Sequence, residues 1–384
     1  MTRNVLHPGK PEVHMNQPTP KRRRSRPRGQ VLVIAVIAMI SMIGGVALIL
    51  DGGNAYAHQR GVQNGADAVA NAGTTVIAQM LGGATKTDAD VANAVNNMAA
   101  ENGLDSTVAY YTNRAGQLLN PGSAVVTNTT AAARVGDGMI PGQASGVQAN
   151  GGQQFDTTFA QVIGINQFTA SADATAIAGP LAGGMMLPVV FPVNIADCDI
   201  NGDVGISEAD WQLSQPGDPP VGQEYIVPLC KTGAGSFMLL DLDGTPNNCE
   251  DEVTNPPALQ FAAFPADIAT DNGNNCAGEM VDAVNAFSGQ VVLIPICDGD
   301  CVTTGGVNGS YHIIRVTAFY LDYMSDQNGG HNTACQGNGT TLIPIRGNGS
   351  SGCLAGWFVR YITSGPVGSG PITDAGAIGI QLIK

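Results

Sequence analysis

The sequence predicts an α+β protein with one transmembrane helix near its amino terminus and a β-rich, disulfide-linked sandwich or barrel-like domain farther along. Three observations predict this class. Residues 31–50 are twenty uncharged, mostly apolar positions directly after a basic run. All eight cysteines fall between Cys198 and Cys353. Short apolar segments separated by Gly, Asn and Pro clusters recur through the same region, as in antiparallel β domains.

Residues 1–30 form a basic tail that predicts how the helix at residues 31–50 crosses the membrane. The run KRRRSRPR at residues 21–28 precedes the apolar segment, and basic residues beside a span stay in the cytoplasm. An α-helix rises about 1.5 Å per residue, so about twenty residues cross a hydrocarbon core of about 30 Å. We therefore expect a single-pass cell-membrane protein with a cytoplasmic amino terminus and an extracytoplasmic bulk.

The charge balance agrees with that orientation. Residues 1–50 hold eight basic residues and one acidic residue, whereas 9 basic and 30 acidic residues follow Leu50. The basic tail favours contact with anionic lipid head groups, and the acidic exterior argues against nucleic acid as a partner. A cleavable signal peptide is the alternative, because AYA at residues 55–57 resembles a cleavage site. Signal peptides have apolar regions of about 7–15 residues, so the longer segment here favours a retained anchor.

Residues 51–83 are predicted to continue the helix outside the membrane, to about Leu81, with Gly52 and Gly53 as the place for a bend. One helical stripe, spaced by three or four residues, contains Val62, Ala66, Val69, Gly73, Val76 and Met80. The other positions are mostly small or polar, so this helix can approach a neighbour closely. That neighbour is either the external domain of the same chain or the helix of a second copy, which would give a homo-oligomer.

The amino-terminal pattern is completed by RGQ at residues 28–30, DGG at residues 51–53 and QNGADAVANAG at residues 63–73. In this order the strings resemble the amino-terminal segment of the TadE/TadG-like proteins of Flp (tight adherence) pilus assembly. A second stretch, with GVQA at residues 146–149 and FDTTFAQVIGI at residues 155–165, resembles the module that follows the anchor in those proteins. A looser likeness extends to about residue 363. The resemblance implies a membrane-anchored structural or accessory component of bacterial pilus assembly. It also implies that the partners are the lipid bilayer and other pilus-assembly or envelope proteins.

Residues 84–180 are predicted to form a small α+β module. The segment from Asp88 to Ala100 is typical of an amphipathic helix with Thr87 or Asp88 as its cap. Strands are expected at residues 108–112, 123–127, 146–149 and 168–177. A helix is expected at residues 155–163, from the spacing of Phe155, Phe159, Val162 and Ile163. We interpret these aromatic side chains as core packing rather than as a cofactor site.

Residues 181–384 are predicted to form the β-rich domain. Strands are expected at residues 186–193, 225–229, 237–242, 290–296, 311–323, 341–345, 357–363 and 376–382. The disulfide candidates are Cys198, Cys230, Cys249, Cys276, Cys297, Cys301, Cys335 and Cys353. An even number of cysteines in an oxidising compartment predicts up to four disulfides, with a connectivity that the sequence leaves open. Cys297 and Cys301 are spaced like half of a zinc knuckle, but the compartment favours disulfides.

One loop predicts a metal site. The string DINGDVGISEAD at residues 199–210 places oxygen atoms at the positions that calcium loops use, and it is similar to the loops of EF-hands and dockerins. The candidate Ca²⁺ ligands are Asp199, Asn201, Asp203, Gly205 through its carbonyl, Ser207 and Asp210. The alternative is an acidic turn that binds no ion. DLDGTP at residues 241–246 begins similarly but lacks position five, and we interpret it as a turn.

Catalytic patterns are absent from the sequence. It contains no G-x-S-x-G, H-E-x-x-H or Walker string, and its five histidines share no ligand spacing. GNGSSG at residues 347–352 fits G-x-G-x-x-G, but a predicted strand follows it, which favours a hairpin turn over a phosphate loop. We therefore expect no enzymatic activity. The alternatives to a pilus-assembly component are a tethered surface adhesin or scaffold with a calcium-stabilised domain and, less favoured, a tethered enzyme.

Overall fold

The structure, a computed structural model, describes residues 30–195, 206–207, 211–214, 218–230, 238–245, 249–255, 258–260, 264–271, 280–298, 301, 309–326, 350–370 and 376–384. The helices are α1 (Gln30–Leu81), α2 (Asp88–Glu101), α3 (Cys249–Thr254) and α4 (Val281–Asn285), and a short 3-10 helix spans Ala160–Ile163. The strands are β1 (Ser106–Thr112), β2 (Gly146–Asp156), β3 (Gln167–Pro180), β4 (Gly183–Met185), β5 (Phe191–Pro192), β6 (Asn194–Ile195), β7 (Ile206–Ser207), β8 (Tyr225–Cys230), β9 (Ala258–Gln260), β10 (Ala266–Ala269), β11 (Val291–Cys297), β12 (Ser310–Asp326), β13 (Ser350–Phe358), β14 (Ile362–Ser364) and β15 (Ile378–Leu382).

Helix α1 is unbroken over 52 residues and ends at Leu81, as the sequence predicts. It continues through Gly52 and Gly53 as helix. Its amino-terminal part is long and apolar enough to cross a membrane, and none of its most apolar window is buried against the protein. Leu48, for example, is 76% exposed. A helix of this length, composition and position is typical of a membrane anchor or a signal sequence.

The first sheet has five strands in the order β1-β2-β3-β15-β14. Strands β1, β2 and β3 form an antiparallel meander, and α1 packs across β2 and β3 with α2 beside it. The core between helices and sheet consists mainly of Ala and Val side chains, with Tyr111, Ile77 and Leu119 as its largest fully buried members. The helix packs closely on the sheet because the side chains between them are small.

The carboxy-terminal end of the chain completes this first sheet. Strand β15 pairs antiparallel with β3, and β14 pairs in parallel with β15. The Thr175 amide donates to the Lys384 carbonyl at 3.1 Å, and the Lys384 ammonium forms an ion pair with Asp173. The sequence placed these strands in the cysteine-containing domain, but the chain returns to the first sheet at Ile362. We call residues 51–180 and 362–384 the helix-anchored module, and residues 181–361 the cysteine domain.

The cysteine domain contains a six-stranded sheet. Five of its strands are paired in the order β5-β11-β12-β13-β8, and β10 pairs with residues 310–313 of β12. All these pairings are antiparallel except that of β5 with β11. The sheet is open, so the barrel form of the prediction is wrong. Its core is built around large rings, and Phe358 contacts Trp211, Tyr225 and Phe319 with ring centroids 4.2 to 5.2 Å apart.

The predicted helix at residues 155–163 is also wrong. Phe155 lies in β2, pairs with Phe168 of β3, and contacts its ring edge to face at 6.1 Å. Only Ala160–Ile163 is helical, as a 3-10 turn between the two strands. Phe155 and Phe159 are four residues apart, which fits one face of a helix, but long-range strand pairing decides the conformation. Residues 123–127 form only a single bridge, Leu119 with Val125, and residues 341–345 lie outside the described residues.

Candidate functional site

The stripe of α1 that the sequence singles out is buried against the helix-anchored module of the same chain. Val62, Ala66 and Val69 have no exposed surface, and Met80 is partly buried against the same core. Close approach depends on Gly73, where an added Cβ would lie 3.0 Å from Val95 and 3.1 Å from Val147. Of the two predicted neighbours for this stripe, the external domain of the same chain is confirmed.

Asp51, the first residue of α1 after its apolar segment, holds the helix to the loop between β2 and β3. This residue is only 7% exposed, and its carboxylate accepts hydrogen bonds from three consecutive amides, those of Thr158, Phe159 and Ala160, at 2.6 to 3.2 Å. Those amides open the 3-10 turn between β2 and β3, where intrahelical acceptors are missing. The first residue after the apolar segment therefore binds the loop that joins β2 and β3.

Thr74 makes a second polar contact between α1 and the sheet. Its fully buried hydroxyl accepts from the Val147 amide and donates to the Ala176 carbonyl, both at 3.1 Å. Val147 and Ala176 are paired residues of β2 and β3. The hydroxyl therefore joins the helix to both strands at one position, in a core that is otherwise apolar.

Asp88 holds the second helix in place. Thr87 is the amino-terminal cap of α2, in a capping box with Asp90. Asp88 instead accepts from the Tyr111 hydroxyl at 2.5 Å and from the amides of Gly136 and Gly138. Burial, together with the hydrogen bond to Asp88, raises the pKa of Tyr111 above its ordinary range, so its hydroxyl stays a neutral donor. These contacts are structural.

A separate acidic cluster lies in the cysteine domain. One carboxylate oxygen from each of Asp241, Asp243 and Glu252 lies within 4.8 Å of the other two. Glu252 is 1% exposed, and its Oε1 accepts from the Leu242 amide at 2.5 Å and more weakly from the Asp243 amide at 3.3 Å. Its Oε2 is buried and has no hydrogen-bond partner among the described residues.

The environment of Glu252 disfavours its charged form. Burial is the largest cause and raises the pKa of Glu252 to about 7, against the opposing effect of the two loop amides. The neighbouring carboxylates of Asp271 and Asp241 raise the pKa further. A buried carboxylate with other carboxylates around it is costly unless a cation compensates its charge.

The predicted calcium loop falls largely outside the described residues. Of its candidate ligands, Asp199, Asn201, Asp203, Gly205 and Asp210 lie outside them, and only the backbone of Ser207 is described, in β7, which pairs with β6. This calcium site therefore stays a prediction. The string DLDGTP at residues 241–246, where the described acidic cluster begins, predicts a turn rather than a metal site. Glu252, the twelfth residue counted from Asp241, was the signal that could have revealed it.

The described cysteines bear out part of the disulfide prediction. Cys297 and Cys301 form a disulfide with each other, which confirms the prediction for that pair over a zinc knuckle. Cys230, Cys249 and Cys353 are disulfide-bonded as well, and no described cysteine is a free thiol. Cys198, Cys276 and Cys335 lie outside the described residues. The connectivity beyond Cys297–Cys301 stays a prediction.

The two described histidines both have close neighbours. His58 stacks on Phe155 at 4.1 Å and faces the Gln153 side chain at 2.9 Å, whereas His312 pairs with Asp267 at 2.8 Å on the exposed part of β12. They sit in different parts of the fold, so they do not share a site.

Comparison of the chain with models of known protein families, with curated proteins and with solved structures found no match. The function is therefore inferred from the residues of this chain. Two arrangements stand out in the described part: the continuous contact of α1 with the helix-anchored module, and the acidic cluster of the cysteine domain.

Proposed function

We propose that this protein is a membrane-anchored structural or accessory component of a Flp/Tad-type pilus-assembly system at the bacterial cell surface. The observation that supports the proposal most is that α1 has two roles. One unbroken helix presents a bare apolar segment at residues 31–50 and then supplies the core of the external module from Val62 onward. Such a helix transmits force between the bilayer and the outside without a flexible joint.

The contacts of α1 favour a retained anchor over a cleaved signal peptide. The cleavage-like residues 55–57 lie inside the continuous helix, and Ala55 packs beside Val62 and Phe155. Cleavage after Ala57 would also remove Asp51, whose carboxylate satisfies three amides of the module. A signal peptide is discarded, so it has no reason to carry contacts that the folded domain needs.

The basic tail supports a cytoplasmic amino terminus. Residues 21–28 would hold the start of α1 on the cytoplasmic side, while the acidic remainder of the chain lies outside. A structural role also agrees with three polar residues of the helix-anchored module, because Asp51, Thr74 and Asp88 all make hydrogen bonds within the fold. The bilayer and other pilus-assembly or envelope proteins are the partners that we propose.

Deletion of the gene in a bacterium that carries it tests the proposal. We expect the deletion to abolish surface pili and surface attachment, and the wild-type gene to restore both. The control is a gene whose residues 31–50 are replaced by an unrelated transmembrane segment of equal length. That chain should stay anchored and restore some assembly, provided that Asp51 and the rest of α1 are kept.

Normal pili in the deletion strain would contradict the assembly role. If pili form normally but attachment is lost, the protein acts as an adhesin, which is the alternative that the sequence leaves open. Topology is tested separately by adding protease to intact spheroplasts, which should digest the chain beyond about residue 51 and leave the tail. Complete protection of the external domain would refute the proposed orientation.

A further inference from the structure

We propose that the acidic cluster of Asp241, Asp243 and Glu252 is a binding site for one calcium ion that joins α3 to the loop before it. This site is distinct from the candidate loop at residues 199–210 and does not depend on the proposed role in pilus assembly. Its three side chains come from two neighbouring segments, residues 241–243 and the last turns of α3.

The distances fit a single calcium ion. Ca²⁺ lies about 2.3–2.6 Å from its oxygen ligands, so two ligands on opposite sides of the ion are about 5 Å apart. The three carboxylate oxygens lie within 4.8 Å of one another, which places all of them within reach of one ion without movement of the backbone. A cation bound between these oxygens would offset the repulsion between the carboxylates.

Glu252 supplies an independent sign of a ligand. A buried carboxylate oxygen normally has a hydrogen-bond partner, because the cost of burying it unpaired is large. Oε1 of Glu252 accepts from the loop amides, but Oε2 has no partner in the described part of the chain, in a residue that is 1% exposed. A cation at the cluster would satisfy Oε2 and offset the repulsion from Asp241 and Asp271.

The chemistry of the side chains selects calcium. All three side chains offer hard carboxylate oxygen, which suits Ca²⁺ and Mg²⁺ and not Zn²⁺, whose usual ligands are thiolate and imidazole. Cys249 begins α3 beside the cluster, but it is disulfide-bonded and offers no thiolate. Mg²⁺ requires near-ideal octahedral geometry and keeps several waters, whereas a mostly enclosed glutamate suits the larger, more flexible shell of Ca²⁺.

The sequence spacing supports the same ion. Counted from Asp241, Asp243 is at position three and Glu252 at position twelve, where calcium loops carry a bidentate glutamate. The Asp241 carboxylate accepts from the Gly244 amide and the Asp243 carboxylate from the Thr245 amide, each at 2.6 Å. These bonds hold both aspartates in the turn that faces Glu252.

Calcium titration of the full-length chain in detergent, with its disulfides intact, tests the site. The protein is first treated with a chelator, and bound Ca²⁺ is then counted by equilibrium dialysis and calorimetry. We expect Glu252→Gln, which keeps the Oε1 acceptor and removes the charge, to lose one bound ion per chain or to weaken that ion at least about tenfold. Glu250→Gln is the matched control, because this exposed residue of the same helix undergoes the same charge change.

Asp243→Asn guards against a folding defect, because Asp243 is exposed and its replacement leaves the core unchanged. With chelator present, this variant should melt like the wild type, and the rise of its melting temperature with Ca²⁺ should be reduced. Any ion bound by the loop at residues 199–210 would remain in both variants. Unchanged Ca²⁺ stoichiometry and affinity in Asp243→Asn, or equal behaviour of Glu252→Gln and Glu250→Gln, would overturn the proposal.

Discussion

The helix-anchored module and the cysteine domain build their cores from different materials. The module packs Ala and Val side chains between α1 and its sheet, contains no cysteine, and joins helix to sheet through the buried hydroxyl of Thr74. The cysteine domain packs large rings such as Phe191, Phe319 and Phe358, is cross-linked, and encloses the carboxylate of Glu252. The module thus depends on the anchor helix, and the cysteine domain on cross-links within itself.

This difference indicates how the two regions divide their work. A helix that forms the core of a domain cannot move without the domain, so under the proposed function the module is the region that moves together with the membrane anchor. The cysteine domain is inserted between Pro180 and Ile362, at the ends of β3 and β14, and both of these strands pair with β15 in the first sheet. Unfolding or mutation of the cysteine domain is therefore expected to leave the packing of the module against α1 intact.

Reduction of the disulfides should give the largest difference in stability between the two regions. Each bridge that is lost should lower the free energy of unfolding of the cysteine domain by about 2–4 kcal/mol. The Cys297–Cys301 bridge has a sequence separation of 4 and should contribute least. Hydrogen exchange should show large losses of protection in β11 to β13 and small losses in residues 61–81 of α1.

Equal losses in both regions would show that the two regions unfold as one cooperative unit. The control is a reduced sample that has been reoxidised, which should regain the original protection in β11 to β13. Alkylation before reduction should modify few cysteines or none, because no described cysteine is a free thiol.

The same division explains how much of the structure the sequence predicts. The buried stripe of α1 and the helix α2 follow from spacings within a few residues, and both are confirmed. The return of β15 to β3 joins residues that are about 200 positions apart, and no local pattern carries that information. Phe155 shows the intermediate case, because its helical spacing is real but its pairing with Phe168 decides the outcome.

The candidate sites divide in the same way. Asp51 stands out in the sequence only as the first residue after the apolar segment, and its partners, residues 158–160, are more than 100 positions away. The acidic cluster is local in sequence, yet the string DLDGTP at residues 241–246 taken alone predicts a turn, because it lacks position five of a calcium loop. The decisive carboxylate, Glu252, lies in the following helix, and its burial is visible only in the fold.

Overpacking the contact of α1 should be the second-largest effect. In Gly73→Leu the added side chain meets Val95 and Val147, where even a Cβ would lie within 3.0 to 3.3 Å. We expect the free energy of unfolding of the module to fall by about 2–3 kcal/mol. Gly61→Leu is the matched control on the same helix, because nothing lies within 4 Å of its added Cβ.

The control should be neutral or stabilise the helix by up to about 1 kcal/mol, since glycine is a poor helix former. The measurement is thermal unfolding in detergent, followed by hydrogen exchange in β2. If Gly73→Leu and Gly61→Leu were equally stable, the packing of α1 on the sheet would not be tight at this position.

Loss of the Thr74 hydroxyl should have a moderate effect. Thr74→Val keeps the shape of the side chain but leaves the Val147 amide and the Ala176 carbonyl without this partner. We expect a loss of about 1–2 kcal/mol in the stability of the module. Thr75→Val is the control, because that partly buried hydroxyl bonds only to the Asn71 carbonyl in its own helix. Denaturant unfolding of the two variants should separate them, and equal midpoints would count against a role for the buried hydroxyl.

Replacement of Asp51 should give the smallest effect and the most local one. Asp51→Asn retains one carbonyl oxygen as an acceptor but loses the charge and the second acceptor that serve the amides of Thr158, Phe159 and Ala160. We expect a cost of about 1 kcal/mol, as for other capping carboxylates, because the 3-10 turn can still hydrogen-bond to water when it opens. Asp67→Asn provides the same charge change on the same helix, where the carboxylate accepts only from Gln63.

The effect of Asp51→Asn should appear as faster hydrogen exchange at residues 158–160, with little change at β11 to β13. The contact of Asp51 with residues 158–160 is expected to fix the orientation of the module relative to the membrane. The distribution of distances from the bilayer to residues 158–160, measured with spin labels, should therefore broaden in Asp51→Asn and stay narrow in Asp67→Asn. Global destabilisation would instead place Asp51 in the cooperative core of the module. An unchanged exchange rate would mean that α1 alone, through its stripe from Val62 onward, sets the orientation of the external chain.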